Sequence, residues 1–272
     1  MKILVTGANG FVGHAVWRRL NSLRGVHVVG SLRQASPLKD LMASSVILGD
    51  LTAQTNWSAV LPGTGVVVHT AARVHVMRDT TNDPLTEFRR VNVLGTLQLG
   101  RQAAAAGVAR FVYVSSAKVN GEASLPDCAF RETAAPRHQD AYGVSKHEAE
   151  QGLLELAAVT GMEVVIIRPP VVYGPGVKAN FASLMHAVQR GWPLPLAAIH
   201  NQRSLVALDN LVDFIITCAM HPKAANETFL VSDGHDLSTT ELASGLAKAM
   251  NVPIRLLPLP VWILQATARL AG

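Results

Sequence analysis

The opening residues, "MKILVTGANGFVG", restrict the chain to few folds. "KILVT" is an aliphatic, β-branched run, and behind it Gly7, Gly10 and Gly13 recur at every third position. "FVGHAVWRRLNSL" then continues with the apolar spacing of a helix. A tight strand-to-helix turn asks for glycine at three points. Gly7 lets the chain leave the strand, Gly10 lets backbone approach a bound pyrophosphate, and Gly13 lets the helix close on the sheet. The amides of Phe11, Val12 and Gly13 open that helix, where its positive dipole end suits phosphate. In this context the spacing predicts a dinucleotide-binding turn.

The next 150 or so residues repeat the alternation. Candidate strands are "VHVVGS", "SVILGD", "GVVVHTA", "RFVYVSS" and "EVVIIRP", separated by helical stretches such as "FRRVNVLGTLQLGRQAAAAG" and "AYGVSKHEAEQGLLELAAVTG". Gly107 and Gly161 fall where helix C-caps belong. Continuous apolar strands between helices predict an α/β fold of Rossmann type, a doubly wound parallel sheet that binds ligands at its carboxyl edge. After "RPPVVYGPG" the prolines at 169, 170, 175, 193 and 195 loosen the pattern. Residues 1–170 are therefore expected to form the dinucleotide-binding domain. Residues 171–272 are expected to form a smaller, mixed substrate-binding region, with "ETFLVSD" as a strand that could return to the sheet. The final "VWILQATARLAG" reads as an apolar helix without a cap, an ending expected of an incomplete C-terminal region.

Composition narrows the function. With 49% hydrophobic and 16% charged residues the chain is expected to be compact. Its apolar runs fall short of the roughly 20 residues that cross a bilayer, and glycines interrupt the stretch where a secretion signal would be apolar. Cys128 and Cys218 lack metal-ligand or redox spacing, which fits free thiols in the cytoplasm. The 10 histidines make no zinc motif, so no metal is expected. The net charge of +5 is scattered without basic runs or interleaved aromatics, which argues against nucleic acid and suits a phosphate-bearing small substrate.

The strand ends carry the chemistry. Where the second strand of a dinucleotide fold usually places a ribose-binding acid, this chain has Ser31 and Arg33, and its first acidic residue is Asp40. Arg33 lies 20 residues after Gly13, where it would meet a 2′-phosphate; the expected cofactor is NADP(H) before NAD(H). In "LGDLT", Asp50 is a candidate adenine reader, with Leu51 packing on the ring; in "VHTAA", the small Ala71 and Ala72 leave room for the cofactor. "YGVSK" sets Tyr142 and Lys146 one helical turn apart, and "FVYVSSAKVNG" puts Ser115 and Ser116 at a strand's carboxyl end. Such a trio suits proton transfer coupled to hydride transfer. Tyr142 is the acid or base, Lys146 favours its phenolate and can bind the nicotinamide ribose, and Ser116 holds the reacting oxygen.

Taken in order, "TGANGFVG", "GDLT", "VHTAA", "VNVLGT", "VSSAKVNG", "YGVSK" and "RPPVVYGPG" resemble the extended short-chain dehydrogenase/reductase family, the NAD(P)-dependent sugar-nucleotide epimerases, dehydratases and reductases. The resemblance implies that Tyr142 and Lys146 are the catalytic pair, Ser116 the third member, and Asn92 the supporting helix asparagine. It places Pro169 and Val172 beside the nicotinamide, and Asn180 and Arg203 near a nucleotide diphosphate. Relatives often carry Tyr where this chain has Asn120. With Lys118 and "ARVHVMRD", that departure is similar to a subgroup that reduces UDP-linked 4-keto-6-deoxy-N-acetylhexosamines, and it makes Lys118 a candidate substrate contact. Relatives also commonly form homodimers through the helices that here contain "VNVLGT" and "YGVSK".

Two enzymatic readings share this machinery. A reductase would deliver hydride to a 4-keto sugar, whereas a UDP-sugar 4-epimerase would oxidise C4 with tightly held NAD and return the hydride to the other face. An epimerase regenerates its cofactor and gains nothing from NADPH, so Ser31 and Arg33 in place of the acid favour the reductase. A non-catalytic NADP-binding sensor is disfavoured by the intact Tyr-x-x-x-Lys pair.

Overall fold

The computed structural model describes residues 1–74, 83–125 and 128–260. Two compact units result, one of Met1–Pro170 with Leu208–Val231, the other of Val171–Ala207 with the described part of Ser232–Gly272.

The first unit is built on a sheet of seven parallel strands. They are β1 (Lys2–Thr6), β2 (His27–Leu32), β3 (Ser45–Ile47), β4 (Thr64–His69), β5 (Arg110–Val114), β6 (Glu163–Arg168) and β10 (Thr228–Leu230). Their order is β10-β6-β5-β4-β1-β2-β3, so the chain winds outward from β1 through β3 and resumes on the other side at β4. The crevice at that reversal is where such sheets receive ligands. Its helices include α1 (Phe11–Asn21), α2 (Lys39–Ala43), α3 (Pro84–Phe88), α4 (Thr96–Ala105), α5 (Ala141–Thr160) and α7 (Leu208–Met220).

Apolar side chains from strands and helices close the core. Leu4, Val67, Leu99, Phe111, Leu153 and Val164 pack in one buried cluster. Asp140 starts α5 by accepting the Gly143 amide at 2.6 Å, and Gly161 ends it in the left-handed conformation at φ 75°. The stretch that the spacing predicts as one helix from Phe88 is continuous but changes pitch, with a π-helical segment, Arg89–Gly95, between α3 and α4. Such a widened turn often marks a functional site, and here it holds Asn92 at 1% exposure.

The second unit pairs β7 (Val171–Tyr173) with β9 (Leu205–Ala207) and β8 (Pro193–Leu194) with β11 (Arg255–Leu256). Between them, α6 (Ala179–Gln189) and α8 (Thr239–Met250) bury Val188, Ala243 and Ala247 with Leu194. Ser238 and Glu241 cap α8 reciprocally.

The division differs from a simple break at residue 170, because Leu208–Val231 belongs to the first unit. The reason is local. α7 buries Leu211, Val212 and Ile215 on one face, and β10 adds to the sheet edge with Phe229 opposite Ile167. The terminal "VWILQATARLAG" and most of "ARVHVMRD" lie outside the described residues. Among the described residues, no helix is long and apolar enough to cross a membrane.

Candidate active site

Gly7 has φ +65°, and a Cβ there would lie 2.9 Å from Ala71 Cα. At Gly13 a Cβ would sit 2.2 Å from Gly7 O and 2.5 Å from Thr70 Oγ1, so the helix start, the turn and the exit of β4 form one tightly packed body. Gly10, the N-cap of α1, offers no side-chain cap, and the first turn carries no acidic residue. The leading amides therefore keep their unpaired positive ends. A Cβ on Gly10 would meet only Gly7 O, at 3.1 Å, leaving the outer face of the turn open. This donor set, with Phe11 and Val12 in the first helical turn, fits an anionic diphosphate. Gly13→Ala is expected to abolish nucleotide binding and lower the unfolding temperature, measurable by calorimetry and thermal denaturation, because both atoms it strikes belong to packed neighbours. Unchanged nucleotide affinity would contradict that packing.

At the far end of the crevice, Ser31 is buried in β2, and its carbonyl accepts the Ala8 amide at 3.3 Å. Arg33 Nε stands 4.0 Å from Asp50 Oδ1, with both side chains largely exposed. The arginine and the acid assigned separately to phosphate and adenine thus face one another. Leu51 packs on the π segment, where a Cβ on Gly95 would come 2.5 Å from its Cγ. Ala71 and Ala72 follow β4, half-buried.

Ser116 caps a 3₁₀ turn, Ala117–Val119, by accepting the Lys118 amide, and its hydroxyl favours the ionised form of the Tyr142 phenol. Tyr142 stands in the first turn of α5 with its ring edge against Phe88. Lys146, 2% exposed, donates from Nζ to Val114 O at 2.8 Å. Its ammonium lies 6.0 Å from the Tyr142 ring centre and 4.5 Å from that of Tyr113.

Burial pushes the Tyr142 phenol up to about 12, with the Asp140 charge adding and the Ser116 bond opposing. It also pushes Lys146 down to about 7, against the pull of Glu150. Lys146 is expected to draw the phenol toward its phenolate; in the protein alone burial dominates, and Tyr142 holds its proton. Because Lys146 binds its proton less tightly folded than unfolded, its contribution to stability is full above about 10.5 and falls as pH drops to about 7. Lys146→Met is expected to flatten the rise in stability between those values, measured by urea unfolding across pH. An unaltered slope would contradict it.

Asn92 ties three elements together. Its Oδ1 accepts the Arg73 amide at 2.8 Å, and its Nδ2 donates to Arg73 O and to Ser145 Oγ, both at 3.0 Å. Ser145 in turn donates to Tyr142 O at 2.8 Å. Lys118, expected to meet substrate, instead holds its ammonium between Glu122, at 3.0 Å, and Asp140. Asn120 is buried, donating to Arg131 O and accepting from Arg168. Pro169 reaches the site through its carbonyl, which accepts the Ala117 amide at 2.9 Å. Val172, Asn180 and Arg203 belong to the second unit: Val172 in β7, Asn180 in α6, and Arg203 exchanging backbone hydrogen bonds with Leu237.

Several buried polar residues have no role assigned from the sequence: Thr6, His69, Thr96 and Ser145, which lie inside the quoted motifs, and Glu150, which lies outside them. The usable signal was a polar residue inside an otherwise apolar strand or helix face.

The fold is that of a short-chain dehydrogenase/reductase, a class that works with a nicotinamide dinucleotide. Residues 3–232 match the NAD dependent epimerase/dehydratase family, and the chain belongs to it. It is 49% identical over 271 residues, 99% of this chain and 82% of the relative, to a UDP-glucose 4-epimerase of Vibrio cholerae. It is 30% identical over 263 residues, 89% of this chain and 68% of the relative, to a 3-beta-hydroxysteroid dehydrogenase of Mycolicibacterium neoaurum. A solved structure of MoeE5 in complex with UDP-glucose and NAD superposes with TM-score 0.79 at 29% identity, covering 94% of this chain and 85% of that one. The protein is an NAD(P)-dependent enzyme of the extended short-chain type that includes the sugar-nucleotide epimerases.

Proposed function

We propose that the protein is a UDP-sugar 4-epimerase that keeps NAD bound through its cycle. The 49% identity to the Vibrio cholerae UDP-glucose 4-epimerase over 99% of the chain carries this reading. It replaces the preference for a 4-keto-sugar reductase, which rested on Ser31 and Arg33 in place of a ribose-binding acid and on the subgroup likeness at Lys118 and Asn120. When bound, NAD supplies a hydride acceptor and later a hydride donor. Acting from its phenolate form, Tyr142 takes the proton from the sugar's 4-hydroxyl as C4 is oxidised and returns it when the keto sugar is reduced from its other face, so each cycle ends with the phenolate it began with. Ser116, whose hydroxyl favours the ionised phenol, holds the sugar oxygen. Lys146 binds the ribose and brings a proton poised near neutrality beneath the tyrosine. Gly7, Gly10, Phe11, Val12 and Gly13 hold the diphosphate, Ala71, Ala72 and Asn92 line the crevice, and Pro169 and Val172 flank the nicotinamide. Asn180 and Arg203 are assigned to the substrate diphosphate, and Lys118 to the sugar side once its carboxylate partners give way.

The test is to supply UDP-glucose or UDP-galactose without added cofactor. Interconversion with no net change in nicotinamide absorbance supports the epimerase. Consumption of NADPH with a UDP-linked 4-keto sugar, and no interconversion, would establish the reductase.

The cofactor assignment moves to NAD with the reaction, since Arg33 already faces a carboxylate. Arg33→Ala is expected to leave NADH affinity unchanged and to weaken what NADPH binding remains, read by fluorescence titration. A wild-type preference for NADPH would reverse the assignment.

A homodimer through α4 and α5 belongs to the same proposal. Leu97, Leu156 and Val159 line a groove on these helices, and Val159 is 82% exposed. Gly152 lets the pair pack closely, a Cβ there lying 2.7 Å from Leu97. Sedimentation as a monomer would remove it. A cytoplasmic location is proposed on the same footing.

A further inference from the structure

His69 ends β4 with no exposure, in a position none of the proposed chemistry uses. Both ring nitrogens are engaged: Nδ1 lies 2.7 Å from Thr6 Oγ1, and Nε2 lies 2.9 Å from Thr96 Oγ1. The neighbours fix which nitrogen carries the hydrogen. Thr6 Oγ1 accepts the amides of Thr70 and Ala71, each at 3.2 Å, and so fills both of its acceptor positions. Its own hydrogen is left to donate to Nδ1, which must then be unprotonated. The ring hydrogen sits on Nε2 and is donated to Thr96. Burial pushes the imidazole down to about 3, and the Lys146 charge acts the same way, so the ring stays neutral.

Each branch of this bond pair leads to a different part of the site. The Thr6 branch ends on the backbone of Thr70 and Ala71, the segment pressed against Gly7 and Gly13. Thr70 Oγ1 donates back to Thr6 O at 2.6 Å, closing that side. The Thr96 branch ends on the residue that follows the π segment holding Asn92. Between them the imidazole stacks on Tyr113 at 5.8 Å and 17°, the ring that carries the Lys146 ammonium on its π-face.

We infer that His69 is a positioning residue, held as its Nε2–H tautomer, whose Nδ1 fixes the cofactor-facing backbone at the end of β4 and whose Nε2–H fixes the helix that carries Asn92. The inference rests on NAD occupying the turn beside Gly7. If the imidazole acceptor is removed, the Thr6 hydroxyl has no buried partner to donate to. It must turn, and its grip on the Thr70 and Ala71 amides loosens. If the donor is removed, that grip survives and only the Thr96 contact is lost.

Two near-isosteric substitutions separate the branches. In His69→Asn the amide oxygen can stand where Nδ1 stood and accept from Thr6, but nothing reaches Thr96. In His69→Gln the amide nitrogen can stand where Nε2 stood and donate to Thr96, but nothing accepts from Thr6. The Kd for NAD, by calorimetry, is expected to stay near wild type in His69→Asn and to weaken about tenfold in His69→Gln, the cost of one buried unpaired hydroxyl. Unfolding temperatures of the two variants are expected to fall together. Thr96→Val, which removes only the acceptor of the second branch, should match His69→Asn in NAD affinity.

Equal weakening in the two histidine variants, or weakening that tracks unfolding temperature, would overturn the inference. A long-range proton–nitrogen correlation spectrum of wild-type protein supplies a check independent of any variant: protonated Nε2 supports it, and protonated Nδ1 overturns it. Wild-type protein that binds no NAD overturns the cofactor reading and this inference together. Wild-type binding with indistinguishable variants overturns this inference alone.

Discussion

Tyr142→Phe is expected to lower turnover of a UDP-sugar by roughly 10²–10⁴-fold, the usual worth of a positioned acid or base, while leaving NAD affinity unchanged. The substitution removes only the hydroxyl. The ring keeps its edge-to-face contact with Phe88 at 5.9 Å, so the first turn of α5 has no reason to move. What disappears is the hydroxyl whose ionised form Ser116 favours, on a ring whose centre lies 6.0 Å from the Lys146 ammonium. Because burial holds the phenol near 12, the tyrosine is a poor base in the protein alone. The half-reaction that returns the proton to the keto sugar suits it directly, whereas the half-reaction that removes the proton depends on the charge around it. The loss in the variant should therefore appear in kcat with little change in the KM for sugar nucleotide. Turnover that survives intact would remove Tyr142 from the mechanism. A loss confined to NAD binding would make it a structural residue.

The parts legible in the sequence are those whose geometry is local. The turn at Gly7 and Gly13 can be read because a strand-to-helix reversal leaves no room for side chains, and Tyr142 and Lys146 because one helical turn always brings such residues to one face. The parts that stayed hidden depend on pairings across the sheet. Spacing alone puts Arg33 at the ribose, but it does not show Asp50 arriving from β3 to stand 4.0 Å away. A cofactor preference drawn from the arginine therefore missed its neighbour. The resemblance that makes Lys118 a candidate substrate contact does not show its pairing with Asp140, which is 22 residues distant in sequence. The strand in "ETFLVSD" is legible as one that could return to the sheet, whereas the membership of α7 in the first unit is not, although α7 has a clear apolar face. The burial that raises the Tyr142 phenol is hidden for a similar reason: a nearby lysine can be read from spacing, whereas depth of burial cannot.

Arg168→Leu is expected to destabilise the protein by about 3–5 kcal/mol, the range for leaving a buried charge without its partner. Glu150 has no exposure, and Arg168 meets it with two parallel bonds, Nε to Oε1 at 3.0 Å and a terminal nitrogen to Oε2 at 2.6 Å. The remaining nitrogen donates to Asn120 Oδ1 and Glu132 O, both at 3.2 Å. The guanidinium thus pins the chain beyond Ser116 to α5 from beneath. With leucine there, the Glu150 carboxylate is sealed in a site with one flanking imidazole, His147, 3.8 Å away. For a unit of this size the loss corresponds to a fall of roughly 6–20 °C in unfolding temperature. Replacing both partners, with Glu150→Leu added, is expected to recover most of the stability, because taking two charges out of water is costly and an apolar pair avoids that cost. A double variant no more stable than Arg168→Leu alone would show that the bonds to Asn120 and Glu132, rather than the ion pair, hold this region. Turnover tells the two outcomes apart in function: if the pair acts through the segment beyond Ser116, the double variant regains stability but stays slow, because Asn120 has still lost its anchor.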